Sequence, residues 1–204
     1  MLREKIRVAV LVSGGGTNLQ ALLDNQAKGN IPDGEIVLVL SNNPNAYALQ
    51  RAEKAGVKAV CVDKSVYKTP LEREEKMMQV LSENNIELIV LAGYLAILSE
   101  NFTKTYADRI INIHPSLIPS FCGKGFYGLT VHEKALEYGV KVTGATVHFV
   151  NEIPDGGKII MQKAVYVEDG DTAEVLQKRV MEQAEWIILP QSVQKVCKQM
   201  RSLA

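Results

Sequence analysis

The chain has 204 residues, 47% of them hydrophobic and 23% charged, as expected for a packed globular protein of one domain. Its 23 Lys plus Arg balance 23 Asp plus Glu, which argues against a protein that coats nucleic acid or a membrane surface. Cys61, Cys122 and Cys197 are odd in number and form no CxxC, so a reducing cytoplasm fits better than a disulfide scaffold or a cysteine zinc site. Arg3, Glu4, Lys5 and Arg7 stand where a signal peptide needs an apolar core, and no apolar run reaches membrane-spanning length.

Residues 7–12 (RVAVLV) are a β-branched apolar run that reads as a buried strand. Residues 18–26 carry Leu19, Leu22 and Leu23 at helical spacing. A second strand, 35–40 (EIVLVL), stops at Ser41-Asn42-Asn43-Pro44, and a helix over 47–55 is closed by Gly56. A third strand, 58–62, precedes a charged helix opened by Pro70 and running to about residue 85. A fourth, 87–91 (ELIVL), is broken by Gly93. This alternation implies a parallel sheet with right-handed crossovers.

The second half is less regular. Residues 109–113 make a short strand leading into His114-Pro115, and the proline- and glycine-rich stretch 115–128 reads as a loop. A short helix spans 131–138. Strands at 143–150 and 158–167, joined by a turn around Asp155-Gly156-Gly157, are expected to pair antiparallel. Residues 171–200 read as a long helical stretch interrupted at Pro190. The expected fold is α/β: a Rossmann-like, mostly parallel twisted sheet flanked by helices, with an antiparallel strand pair in the C-terminal half.

Ser13-Gly14-Gly15-Gly16-Thr17-Asn18 joins the first strand to the first helix. Such a turn lets backbone N–H groups and a helix N-terminus meet an anion. It is not a P-loop, because no Gly-Lys-Ser/Thr follows. Leu19 occupies the third glycine position of a dinucleotide fingerprint, and the second strand lacks the acidic residue that holds a ribose diol. A single phosphate or a mononucleotide is therefore favoured over NAD. The bland alternative is a tight connection capped by Thr17 or Asn18.

Asn112-Ile113-His114 ends a strand, so Asn112 and His114 project to one side. An amide and an imidazole there could serve acyl transfer, one bonding an oxyanion and the other moving a proton. A structural histidine is the competing reading. Asp155 is either part of a plain hairpin turn or a loop-borne carboxylate that partners His114, raising its pKa. His114, His132 and His148 show no HxxxH or HExxH spacing, so no metal is expected. Ser116 lacks a GxSxG elbow, and Cys122 is treated as incidental.

Four segments, VAVLVSGGGTNLQALLD, ELIVLAGYLAIL, INIHPSLIPSF and GATVHFVNEIPDGGKIIMQKAV, resemble the folate-dependent formyltransferases, in order and spacing, from about residue 6 to about 193. The SGGGTNLQ block narrows the likeness to the glycinamide ribonucleotide branch or its hydrolase relative. The resemblance implies formyl transfer from the cosubstrate 10-formyltetrahydrofolate to the amine of glycinamide ribonucleotide, in purine biosynthesis. Alternatives are a formyltetrahydrofolate hydrolase and a non-catalytic nucleotide-binding module. By motif, Asn112, His114 and Asp155 correspond to the catalytic trio. Gly16, Thr17 and Asn18 correspond to the phosphate loop, and Leu95, Ala96, Ile97 and Leu98, together with Asn112, to the folate-binding residues.

Glu185, five residues before Pro190, matches a helix glutamate on the amine side of the ribonucleotide. Glu182 is its rival, because the segment counted from Arg179 is one residue longer than the family's. Other departures are Leu95-Ala96, where relatives commonly have Met-Arg, and the longer SFCGKGFYG loop. The resemblance further implies one domain over 1–204, with a nucleotide-phosphate half (1–93) and a folate-binding and catalytic half (94–204). Its partners would be small molecules, with no nucleic acid or membrane, in a cytoplasmic monomer or homodimer.

Overall fold

The computed structural model describes residues 4–203; Arg3, counted above among the early charges, lies outside them. The strands are β1 (Ile6–Val12), β2 (Gly34–Ser41), β3 (Lys58–Cys61), β4 (Leu88–Leu91), β5 (Ile110–His114), β6 (Val142–Phe149) and β7 (Ile159–Tyr166). They form one sheet in the order β3-β2-β1-β4-β5-β6-β7. Pairing is parallel from β3 to β5 and antiparallel at β5–β6 and β6–β7.

The helices are α1 (Thr17–Ala27), α2 (Tyr47–Lys54), α3 (Pro70–Glu83), α4 (Glu100–Thr105), α5 (Leu129–Tyr138), α6 (Ala173–Val180) and α7 (Trp186–Leu203). Alternation along β1 explains the layering. Val8, Val10 and Val12 join one core with α1, α2, α6 and α7, while Ala9 and Leu11 join a second with α3 and α4. A strand buried on both faces is apolar throughout, which is why RVAVLV reads as a continuous run.

Helix α3 begins where Pro70 places it. Thr69 and Glu72 form a reciprocal capping box, worth about 1 kcal/mol. Helix α4 is absent from the sequence reading. It has six residues, too few for a periodic stripe; its signal is Ser99, which caps it by accepting the Phe102 N–H. Helix α5 starts two residues earlier than expected.

The C-terminal stretch departs from expectation. Pro190 lies inside α7, and the irregularity sits upstream, in a π-helical turn over Met181–Glu185. Proline removes one N–H and crowds the carbonyl four residues back, here that of Trp186, where the π-helical turn gives way to α-helix. The backbone stays helical through Trp186, and Pro190 falls one turn beyond this change of register.

The chain runs from β1 outward to β2 and β3, then crosses to the other side of β1 with β4. The carboxyl ends of β1 and β4 thus flank a topological switch point, where open α/β sheets bind ligands.

Candidate active site

Strand β5 ends at this crevice. Asn112 pairs across to His148 and His114 to Thr146. Asp155 arrives from the segment 150–158 between β6 and β7, which is longer than the tight turn its Asp-Gly pair suggested. Asp155 has φ 56, and a Cβ on Gly157 would lie 1.7 Å from the Phe149 carbonyl. Only glycine allows the loop to fold back this closely.

The three side chains meet. His114 Nδ1 is 3.6 Å from Asp155 Oδ2, and His148 Nε2 is 3.5 Å from Asp155 Oδ1. Asn112 Nδ2 lies 3.2 Å from His148 Nε2 and donates to Asp155 Oδ1 at 3.5 Å. The Phe149 carbonyl, 2.8 Å from His148 Nδ1, can only accept, so that nitrogen carries a hydrogen, while Nε2 faces both the Asn112 amide and Asp155 Oδ1. His148 thus contacts both groups. Its signal in the sequence was its register opposite Asn112, legible only once the β5–β6 pairing is known.

Burial tends to raise the Asp155 pKa, but His148, His114 and the Gly123 N–H outweigh it and hold the carboxyl below the usual range. For His114 the expectation fails. Burial pushes its pKa below 6.5 and outweighs the opposing effect of Asp155. The imidazole is 4% exposed, and desolvation disfavours its cation more than one carboxylate at 3.6 Å favours it.

His114 Nε2 lies 2.9 Å from the Phe121 carbonyl and must donate to it. The Gly123 N–H donates to Asp155 Oδ2 at 2.8 Å. The glycine-rich loop therefore holds both members of the pair through its backbone. Phe121 does so at φ 49, unusual for a bulky residue, so composition gave no hint of it. Ser116 is buried, donates to the Ser120 carbonyl at 2.6 Å and is structural. Burial and nearby Asp155 raise the Cys122 thiol pKa, the reverse of activation.

At the glycine turn, Gly16 is the N-cap of α1 with φ 74, and no side chain caps the helix. Capping by Thr17 or Asn18 is therefore not what the turn is for. A Cβ on Gly16 would lie 2.6 Å from Ala48 Cβ. Asn18 Nδ2 donates to Glu185 Oε2 at 2.5 Å. Glu185 is 6% exposed, and burial raises its pKa to about 6 against the lowering effect of Asn18. Glu182 points outward and lies 3.9 Å from Lys178. Glu185 closes the π-helical turn, which widens the helix by one residue in that turn.

A cavity of about 750 Å³ joins the Asn18–Glu185 contact to the cluster on β5; of the three residues expected to hold the phosphate, Asn18 lines it and Gly16 and Thr17 do not. Asn18, Leu95, Asn112, His114, Asp155 and Glu185 all line it, as do Ala96 and Ile97. Leu98 lines the smaller adjoining recess, which also reaches Asn112, His148 and Asp155. Leu95 and Ile97 are exposed, apolar and on the rim. His132 also faces the cavity; burial, with His114 adding to it, pushes its pKa down to about 4. Among the described residues no group of His, Cys, Asp and Glu is arranged to hold a metal ion.

A crevice at strand ends, a turn that leaves helix N–H groups uncapped and an amide–imidazole–carboxylate cluster define the site of an α/β group-transfer enzyme. The formyl transferase family model matches residues 6–193. The chain is 40% identical to the phosphoribosylglycinamide formyltransferase of Haemophilus influenzae, over 90% of this chain and 84% of that one. It is 47% identical to the trifunctional purine biosynthetic protein adenosine-3 of Gallus gallus over 94% of this chain, but spans only 18% of that protein's length. The crystal structure of glycinamide ribonucleotide transformylase 1 from Symbiobacterium toebii superposes with a TM-score of 0.89 at 40% identity, covering 96% of this chain and 89% of that one. The chain belongs to the formyl transferase family.

Proposed function

We propose that this protein transfers a formyl group from 10-formyltetrahydrofolate to the amine of glycinamide ribonucleotide, a step of purine biosynthesis, and works in the cytoplasm. The observation that carries this reading is the meeting of Asn112, His114 and Asp155 in one cavity, lined on one side by Asn18 and Glu185 and on another by Leu95, Ala96 and Ile97. The names of the relatives support glycinamide ribonucleotide as the acceptor of a formyl group.

In this reading Gly16, Thr17 and Asn18 receive the phosphate, Glu185 faces the amine side, and Leu95, Ala96, Ile97 and Leu98 line the pterin. The amine attacks the formyl carbon, a C–N bond forms, and the carbonyl electrons move to oxygen. The Asn112 NH₂ and the His114 Nε2–H donate to that oxyanion. His114 is engaged by the Phe121 carbonyl before substrate binds, so the loop must release it first. The proton lost by the amine passes to the folate nitrogen as its bond to the formyl carbon breaks. The His114–Asp155 pair carries that proton in transit, because the ionised carboxylate stabilises imidazolium.

The test mixes the protein with 10-formyltetrahydrofolate, with and without glycinamide ribonucleotide, and follows the folate absorbance. A change that requires the ribonucleotide supports the transferase. A change without it means a hydrolase, and no change at all means a binding module; either outcome refutes the reading.

A further inference from the structure

The glycine turn is held from behind. Asn43 Nδ2 donates to the Ser13 carbonyl at 3.2 Å, the Ala48 N–H to the Gly14 carbonyl at 3.2 Å, and Arg51 Nε to the Gly15 carbonyl at 2.8 Å. Three consecutive carbonyls are drawn toward the place where β2 ends and α2 begins. In a trans peptide the N–H points opposite to the C=O of the same unit. The N–H groups of Gly14, Gly15 and Gly16 are therefore turned the other way. Gly14 and Gly15 are exposed, and a Cβ on either would meet nothing within 4 Å, so the chain is uncrowded around these two residues. Successive N–H groups facing one open space make an anion-binding concavity.

Arg51 is itself fixed. Its Nη1 donates to Gln20 Oε1 on α1 at 2.9 Å, and its guanidinium sits 4.9 Å from the centre of the Tyr47 ring. One side chain thus ties α1, the turn and α2 together from the carbonyl side. An anion on the other side would feel it through the peptide units.

We propose that Arg51 and Asn43 are positioning residues of the ribonucleotide-phosphate subsite, aiming the amides of the glycine turn by holding its carbonyls. This rests on the phosphate reading of the turn given above. The experiment measures KM and kcat of the wild type, Arg51→Met, Arg51→Lys and Asn43→Ala. Each is assayed with glycinamide ribonucleotide and with glycinamide riboside, which lacks the phosphate.

A wild type with equal KM for both acceptors refutes the phosphate reading itself. With a wild type that prefers the nucleotide, Arg51→Met should raise the nucleotide KM roughly 10-fold to 100-fold, the effect of one charge-assisted hydrogen bond. Asn43→Ala should raise it about 2-fold to 10-fold, the effect of a neutral one. Arg51→Lys, which keeps a cationic donor, should recover part of the loss. The riboside KM, the formyl folate KM and kcat should stay within about twofold, a split that general loosening of the fold would not produce. An equal rise for nucleotide and riboside, or no rise in Asn43→Ala, overturns the proposal and leaves the phosphate reading standing.

Discussion

Replacing Glu185 by Gln should stabilise the protein at neutral pH while impairing it as a catalyst. Glu185 is buried beneath α1 and its pKa is raised from 4.5 to about 6. An acid with a folded pKa above its unfolded value binds its proton more tightly when folded. The native state therefore loses stability as pH rises from about 4.5 through about 6, and the loss is complete above that window. A shift of this size corresponds to roughly 2 kcal/mol.

Glutamine removes the charge and keeps an oxygen for the Asn18 NH₂. Its own NH₂ can serve Asn18 Oδ1, which is buried without a hydrogen-bond partner. For a chain of this length about 2 kcal/mol is about 4–8 °C in Tm. Melting curves of both proteins should show this gain at pH 8, shrinking to below about 1 kcal/mol at pH 5. The nucleotide KM should rise in the same variant. A Tm at pH 8 no higher than that of the wild type, or a gain equal at both pH values, would refute the reasoning.

Other perturbations separate the parts of the site. Asp155→Asn removes the main influence opposing burial at His114, so that histidine should titrate still lower by NMR. In the same variant kcat should fall roughly 10²–10³-fold, and a near-normal kcat removes Asp155 from the mechanism. His148→Leu takes away the ring nitrogen that faces Asn112 and should lower kcat about 10-fold with the nucleotide KM unchanged, roughly the effect of misplacing one hydrogen-bond donor. Gly157→Ala drives a Cβ into the Phe149 carbonyl, a backbone atom that cannot step aside. It should cost at least about 2 kcal/mol and lower Tm by several degrees; a melt within about 1 °C of wild type would contradict that close approach. Gly16→Val should weaken ribonucleotide binding and leave folate binding intact, as titrating each ligand separately would reveal.

Sheet order aside, the strands were legible because parallel strands buried on both faces are apolar without interruption. Asn112 and His114 were legible as neighbours because strand alternation fixes them on one side. The protonation of His114 was not, because it depends on how completely the surrounding chain excludes water, a property of the assembled interior. The hold of Phe121 and Gly123 on His114 and Asp155 is made by backbone atoms, which every residue possesses, so no side-chain pattern encodes it. Helix α4 escaped for want of length, and the irregularity before Pro190 because it lies in the backbone register upstream, not at the proline itself.

The π-helical turn carries a consequence for how this chain tolerates change in length. An added residue in an ordinary helix rotates everything beyond it by about 100°. That would swing the buried stripe of Ile188, Leu189, Val193 and Val196 away from the sheet. Here the surplus is confined to one distended loop of backbone, and the stripe keeps its phase. Shortening the chain by one residue inside 181–184 should relax that loop into regular helix with the stripe still seated, whereas the same excision a few residues later would turn apolar side chains toward water.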